Sequence, residues 1–381
     1  MKAGGGVVFG IPRAAVFPSV IFSCQRSTLR CYSSSFSGIL NGHSSILVLY
    51  AMLNNVLHSQ NTRTIVCNNL GCLNADHVSF IKDVAATQPP EHLNHLLKML
   101  KVRGEEIISP GAKQGMLPLV VPLSKSNSGS VTALLRWPTA PTGMEMPVVD
   151  VRKYGVWLLA KNVEQYINRI LVEEDAKSSQ ERNEELFSAS ADAGNKFYEK
   201  GDFAASQISG LETYLLKKVG LFPDILERKV KQHFDKGDQV SALVTGEFYT
   251  KREHFPGFGR PFVFNAEVLL KVGRNLEAKD SARVALKSPW WTLGCEYQEV
   301  ADLAQWEDEQ IEYIKEKVTD EGRQEDLKKG KEPAQVSLDE AAFLLDLASV
   351  EGTWDACLER VASCYREAGL DDIATFILHR D

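Results

Sequence analysis

Paired amphipathic segments, each pair joined by a short polar turn, recur through the second half of this 381-residue chain. Three such pairs are predicted, at 191–206, 269–286 and 341–362. One aspartate is placed to cap the second helix of each pair: Asp202, Asp280 and Asp355. A helical hairpin can bury its apolar faces only within the pair and against neighbouring pairs. The pattern therefore predicts an array of helical hairpins over 184–381.

The array is expected to be irregular. The first pair resembles a tetratricopeptide hairpin at Gly194, Phe197 and Gly201, but the pairs do not recur at the spacing of about 34 residues that this repeat requires. Two further helices are predicted, one over 301–318 and one that Ser337 and Glu340 would begin with a capping box. The charged stretch near 319–336 is interpreted as a solvated linker.

A different pattern precedes the array. The stretch 87–104 has capping and stop signals for one helix, and a second helix is expected from Asn162. Between them, 107–160 consists of short β-branched runs separated by turn sequences, which is typical of a small antiparallel sheet. We expect a mainly α protein: a small N-terminal α+β module over 76–175, a polar boundary at 176–185, and then the loose array of helical hairpins.

The first 75 residues contain no Asp or Glu, and the serine-rich stretch 27–37 lies among them. This composition is typical of an organelle transit peptide, and its apolar content is too irregular to fold. We therefore expect residues 1–75 to be a disordered transit peptide, with the chloroplast favoured over the mitochondrial matrix. A disordered tail that is not processed is the alternative. The most apolar run, 46–53, is too short to span a bilayer, so no membrane span is expected.

The remaining chain is acidic. From Asp76 onward, 50 Asp and Glu stand against 38 Lys and Arg, a net charge of −12. Such a surface repels phosphate backbones, so nucleic-acid binding is not expected.

The segment 251–270, KREHFPGFGRPFVFNAEVLL, contains glycines in a pattern that invites comparison with phosphate-binding loops. Neither the P-loop nor the dinucleotide spacing is satisfied, and Pro261 removes an amide donor that an anion would need. We interpret the segment as consecutive turns, after which Asn265 caps a helix that begins at Ala266. Three cysteines remain after the first 75 residues without a CxxC pair, so neither a metal site nor a cofactor is expected.

Two loops carry aromatic and arginine side chains of the kind that anchor protein interfaces. We predict that their side chains contact a partner: Arg252, Phe255, Phe258, Arg260, Phe262, Trp290 and Trp291. A place in the core is the competing interpretation, above all for the tandem tryptophans.

Two other functions stay open at this point. The chain has no GxSxG or HExxH motif and no nucleophile with a recognisable partner. A stromal enzyme would need a pocket between the module and the array, with His254, Arg260 and Cys295 as wall residues. A tetratricopeptide-like adaptor would instead need a concave groove for a peptide tail.

Three long stretches resemble a green-lineage family of proteins named for chloroplast ATPase biogenesis. They begin HVSFIKDVAATQPPEHL, VTALLRWPTAPTGMEMP and FPDILERKVKQHFDKGD, and the likeness covers essentially the whole chain after the first 75 residues. The resemblance implies a non-enzymatic auxiliary factor of the chloroplast stroma that binds F1 subunits of the ATP synthase during assembly, with the β subunit as the favoured partner. It implies no catalytic residues and no cofactor.

Overall fold

The computed structural model describes residues 71–140, 145–191, 197–306 and 308–381. Most of the predicted transit peptide, up to residue 70, lies outside this part of the chain. The first helix, α1 (Gly71–Asp83), already begins within the predicted segment 1–75. Among the described residues, no helix combines the length and the apolar composition needed to cross a bilayer.

The predicted antiparallel sheet is confirmed. Its strands are β1 (Glu106–Ile107), β2 (Val120–Lys125), β3 (Val131–Leu135), β4 (Val148–Arg152) and β5 (Gly155–Ala160), and they lie in chain order. Each pairs antiparallel with the next. All five residues of β3 are buried, so both faces of the sheet are covered at its centre. This explains why β3 is apolar at four of its five positions rather than alternating.

Two helices of the module also lie where the sequence predicts them. Helix α2 (Leu93–Val102) ends before Gly104, whose φ of +85° is the left-handed conformation that stops a helix. Helix α3 (Val163–Asp175) begins after Asn162, whose side chain accepts a hydrogen bond from the Gln165 amide. Both helices pack on the sheet.

The array begins with short elements. They are α4 (Glu184–Ser190), α5 (Asp202–Ala205), α6 (Leu211–Tyr214) and one π-helical turn (Leu215–Val219). Regular hairpins follow: α7 (Pro223–Asp235), α8 (Gln239–Tyr249), α9 (Arg260–Lys271), α10 (Asn275–Ala285) and α11 (Tyr297–Ala304). Each packs against the next, and the 286–296 loop connects α10 to α11. The predicted class, mainly α with a small α+β module, is confirmed.

Two local predictions within these hairpins are wrong. The turn of the pair 269–286 lies at 272–274, and Asp280 is inside α10 rather than at its cap. Helix α9 begins at Arg260 and not at Ala266, because Pro261 fits the first helical turn, where no amide donor is required. Asn265 therefore lies within α9, and its amide donates to Ser281 on α10.

The C-terminal helices are α12 (Glu309–Lys317), α13 (Asp320–Lys328), α14 (Pro333–Glu351), α15 (Leu358–Glu367) and α16 (Asp371–Leu378). The predicted helix over 301–318 is broken at Gln305, which has a φ of +50°. The predicted linker near 319–336 instead contains α13, which Thr319 caps. Helix α14 begins at Pro333, so Ser337 is inside it and does not form the predicted capping box.

The C-terminal helices return to the N-terminal module. Lys113 Nζ donates to the Phe376 carbonyl at 2.6 Å, and Trp354 Nε1 donates to the Lys153 carbonyl at 3.0 Å. One continuous apolar core therefore joins α1–α3, the sheet and helices α14–α16. Asp355, predicted as a helix cap, instead accepts a hydrogen bond from the Gly115 amide.

Candidate functional site

Four of the seven predicted contact residues serve the core. Phe255, Phe258, Trp290 and Trp291 are each no more than 6% exposed. Trp137, at the end of β3, packs its ring against Trp291 at 5.0 Å and against Phe258 at 5.7 Å between ring centroids. Their burial favours the competing interpretation, a place in the core, and their role as partner contacts stays a prediction.

Arg260 also has a structural partner. Its Nε donates to Glu227 Oε1 at 2.8 Å and one terminal amine donates to Oε2 at 3.0 Å, so the pair is bidentate. Glu227 is buried, at 6% exposed, and the guanidinium also lies 5.2 Å from the Trp157 ring. This geometry links α7, α9 and β5.

Replacing Arg260 by methionine is expected to destabilise the protein by about 3 kcal/mol, because a buried carboxylate loses its countercharge. Urea unfolding measures the change. The double variant Arg260→Met, Glu227→Met is expected to recover most of the loss, since no buried charge is left unpaired. The other carboxylate partner of Arg260, Glu267 at 3.0 Å, is 45% exposed and is solvated without it. If Arg260 served mainly as a partner contact, the single variant would stay within about 0.5 kcal/mol of the parent.

The remaining two predicted contacts differ from these. Arg252 is exposed, and Phe262 is partly buried against the smaller apolar cluster of the array. Both stay predictions as partner contacts.

The three wall residues of the enzyme alternative are not brought together at the cavity beside Arg260. Arg260 borders a cavity of about 10 Å³, which is at the lower limit for one water molecule, and neither His254 nor Cys295 lines it. His254 Nδ1 donates to the Phe248 carbonyl at 2.8 Å. Burial raises the pKa of the Cys295 thiol to about 12, which keeps it protonated and unreactive near neutral pH.

An exposed apolar stripe runs along α8. Val240, Val244 and Phe248 are spaced four residues apart and are 72%, 61% and 37% exposed. The opposite face of the helix, including Ala242 and Tyr249, is buried. Because residues four apart share one helical face, the three side chains form a continuous surface, which we call the α8 stripe. A soluble protein exposes such a surface at a cost, and surfaces of this kind mark interaction sites.

A larger cavity lies where the sheet, the 286–291 loop and the C-terminal helices meet. Its volume is about 160 Å³. Its walls are mostly apolar and aromatic and include Trp137, Trp290, Trp291, Tyr313 and Phe343. We call it the central cavity.

One carboxyl group faces the central cavity from the middle of α14. Asp346 is 9% exposed, and its Oδ1 accepts a hydrogen bond from the Trp290 amide at 2.7 Å. Burial raises the pKa of Asp346 to about 8, which the bond from Trp290 only partly opposes. The side chain is therefore mostly protonated at neutral pH.

Neither feature was singled out from the sequence, although both leave a signal there. In the α8 sequence QVSALVTGEFY, apolar residues occupy more than one face, which is more than a single buried face requires. In AAFLLDLASV, one aspartate interrupts an apolar stretch of α14. A lone acid at such a position indicates either a buried polar contact or a site.

Consecutive family models match the three parts of the chain. They are the PAB N-terminal domain at residues 75–218, the PAB middle domain at 223–307 and the PAB C-terminal domain at 311–379. The chain is thus a mainly α protein of the PAB family, and none of these models describes an enzyme. It is 68% identical over 312 residues to the Protein IN CHLOROPLAST ATPASE BIOGENESIS, chloroplastic, of Arabidopsis thaliana, covering 82% of this chain and 93% of that protein. No solved structure gives a significant match.

Proposed function

We propose that this protein is an auxiliary factor in the biogenesis of the chloroplast ATP synthase. The observation that carries the proposal is the 68% identity to the Arabidopsis protein over 93% of its length, since that protein is named for chloroplast ATPase biogenesis. Such identity across nearly the whole relative is expected to preserve its surface as well as its fold. The proposed place of action is the chloroplast stroma, reached by means of the transit peptide at the N-terminus.

The proposed activity is transient binding of F1 subunits before the complex is complete. Subunits that await their partners expose apolar interface surface, which invites aggregation. The α8 stripe offers a matching apolar face, and charged residues such as Glu247 and Lys251 border it. Within F1, the β subunit implied by the sequence resemblance is the first candidate. Affinity would come from a few apolar anchors, with the charged border supplying specificity.

Affinity capture from stroma tests the proposal. The processed protein, immobilised and cross-linked briefly, is expected to retain F1 subunits, and mass spectrometry identifies which. Capture of another F1 subunit without β would replace the first candidate. Capture of no ATP synthase subunit at stromal concentrations would contradict the proposed function.

Changing Val240 and Val244 to aspartate is expected to lower this capture at least tenfold, because two exposed apolar contacts become charged. Stability is expected to stay within about 0.5 kcal/mol, since both side chains already face solvent. Leu327→Asp is the matched control: Leu327 is a 39% exposed apolar residue on α13, away from the stripe. Equal capture by the double variant and the control would exclude the α8 stripe as the contact.

A further inference from the structure

The central cavity has room for more than solvent. Its 160 Å³ is comparable to the engineered apolar cavity of about 150 Å³ that accepts benzene in another protein. Aromatic rings form much of its wall, and two of them, Trp137 and Trp291, lie 5.0 Å apart between centroids at an angle of 42°. A planar or linear group can therefore contact ring faces from more than one side.

One polar group at this cavity has unused hydrogen-bonding capacity. Asp346 receives one donor, the Trp290 amide, and its second carboxyl oxygen has no donor among the residues that the structure describes. Trp137 Nε1 also finds no acceptor within the same part of the chain, but this atom is fully buried, so it offers no donor to a ligand in the cavity. A ligand that fits must therefore offer a donor to Asp346.

Two of the three lysines that line the cavity, Lys317 and Lys331, already have carboxylate partners. Lys317 Nζ lies 2.6 Å from Asp326, and Lys331 binds Asp326 at 3.1 Å and also Asp339. Their charges are already compensated by neighbouring carboxylates. Asp346 is thus the acid of this region without a basic partner in the described structure.

The charge of the surrounding helices favours a basic ligand. Residues 308–381 contain 19 Asp and Glu and only 9 Lys and Arg, a net charge of −10 against −7 for the whole chain. A neutral apolar ligand would leave the second oxygen of Asp346 without a donor. A cation would favour the ionised form of Asp346 and pair with it, whereas an anion would keep the carboxyl group protonated and find no countercharge in it.

We propose that the central cavity receives an arginine side chain from a basic segment of a partner protein. The guanidinium would donate to Asp346 and stack against the tryptophan faces, for which its planar, weakly hydrated charge is suited. The inference that the source is a protein partner rests on the proposed function, whereas the chemistry of the cavity can be tested without it.

The test uses the full chain with 15N-labelled tryptophan, whose six indole signals are resolved by NMR and whose Trp137 signal is assigned with Trp137→Phe. The probes are the capped peptide acetyl-Gly-Ala-Arg-Ala-Gly-amide and the same peptide with citrulline, which has the shape of arginine but no charge. The arginine peptide is expected to shift the Trp137 signal saturably and to bind at least tenfold more tightly than the citrulline peptide. Equal binding of the two peptides, or an unmoved Trp137 signal, would overturn the proposal.

Two variants test whether the carboxyl group of Asp346 binds the guanidinium. Asp346→Asn keeps the acceptor for the Trp290 amide and is expected to reduce binding of the arginine peptide to the level of the citrulline peptide. Glu351→Gln, at the exposed end of the same helix and outside the lining of the cavity, is expected to retain binding within about threefold. Unchanged binding by Asp346→Asn would refute the assignment, and thermal unfolding of both variants confirms that they are folded.

Two comparisons separate this inference from the proposed function. If n-butylguanidinium binds as tightly as the peptide, the cavity takes a free small cation and the partner-segment interpretation fails. If wild type and Asp346→Asn capture F1 subunits equally, the cavity inference fails while the proposed function stands. If the peptide binds but no F1 subunit is captured, the chemistry of the cavity stands and the proposed function fails.

Discussion

Replacing Gly155 by alanine is expected to destabilise the protein by at least about 5 kcal/mol, which few single substitutions reach. Gly155 begins β5 with a φ of +147°, a conformation that residues with a Cβ rarely adopt. A Cβ there would lie 2.0 Å from the Trp291 carbonyl oxygen and 2.6 Å from its carbonyl carbon. Both are backbone atoms, so no side-chain rotation relieves the clash. The strand and the loop would have to separate.

Thermal unfolding measures this effect, and a fall in melting temperature of at least about 10 °C is expected. Gly129→Ala is the matched control. Gly129 has a φ of +87° in the turn between β2 and β3, but a Cβ there would meet nothing within 4 Å. Gly129→Ala is expected to lower the free energy of unfolding by only about 1–2 kcal/mol, which is the cost of the left-handed conformation alone. Similar losses in the two variants would show that the loop does not depend on close approach to β5.

This contact also explains which predictions from the sequence were correct. The short strands and helix α2 have local signals, such as turn sequences and Gly104, and these signals were sufficient. The burial of Trp291 depends on Trp137 and Gly155, which lie more than 130 positions away in the sequence. An aromatic loop has the same composition whether it faces a partner or the core. Sequence pattern alone therefore could not distinguish the two.

The errors at helix ends have a different cause. Gln305 breaks a predicted helix although glutamine is a good helix former. It is the C-cap of α11, with a φ of +50°, and α11 and α12 each pack against α14. Lys279 and Asp280 suggested a turn because they are polar and adjacent. In the structure they lie on the outer side of α10, where polar residues are as common as they are in turns. Local polarity does not separate a turn from a solvated helical face.

Neutralising Asp346 is expected to stabilise the protein, and increasingly so as the pH rises. The pKa of this carboxyl is about 8 in the folded protein, well above the ordinary value of 3.8, so folding requires proton uptake at every pH between the two. Below pH 4 such a group does not lower the free energy of unfolding. Between pH 4 and about 8 it lowers that free energy by about 1.4 kcal/mol for each pH unit, and above this range the loss stays constant. Asparagine avoids the cost because it accepts the Trp290 amide without a charge.

The difference in unfolding free energy between Asp346→Asn and wild type is therefore expected to be near zero at pH 4 and to reach about 5 kcal/mol at pH 8. Urea unfolding at pH 5, 6.5 and 8 measures how this difference changes with pH. Other ionisable groups line the same cavity: Lys287, Tyr313, Lys317, Asp326, Lys331, Asp339 and Tyr365. They are present in both proteins, so their contributions largely cancel in the difference.

Asp339→Asn, on the same helix, is expected to change the free energy of unfolding in the opposite direction. Its carboxylate has a lysine partner, so its neutralisation is expected to lower stability by up to about 1 kcal/mol. A difference for Asp346→Asn that does not change with pH would mean that Asp346 is ionised at neutral pH in the folded protein. Conversely, an arginine bound in the central cavity would favour the ionised form, so a saturating arginine peptide is expected to reduce the advantage of asparagine. The cost that Asp346 imposes on the unliganded fold is thus the free energy that a cationic partner can recover.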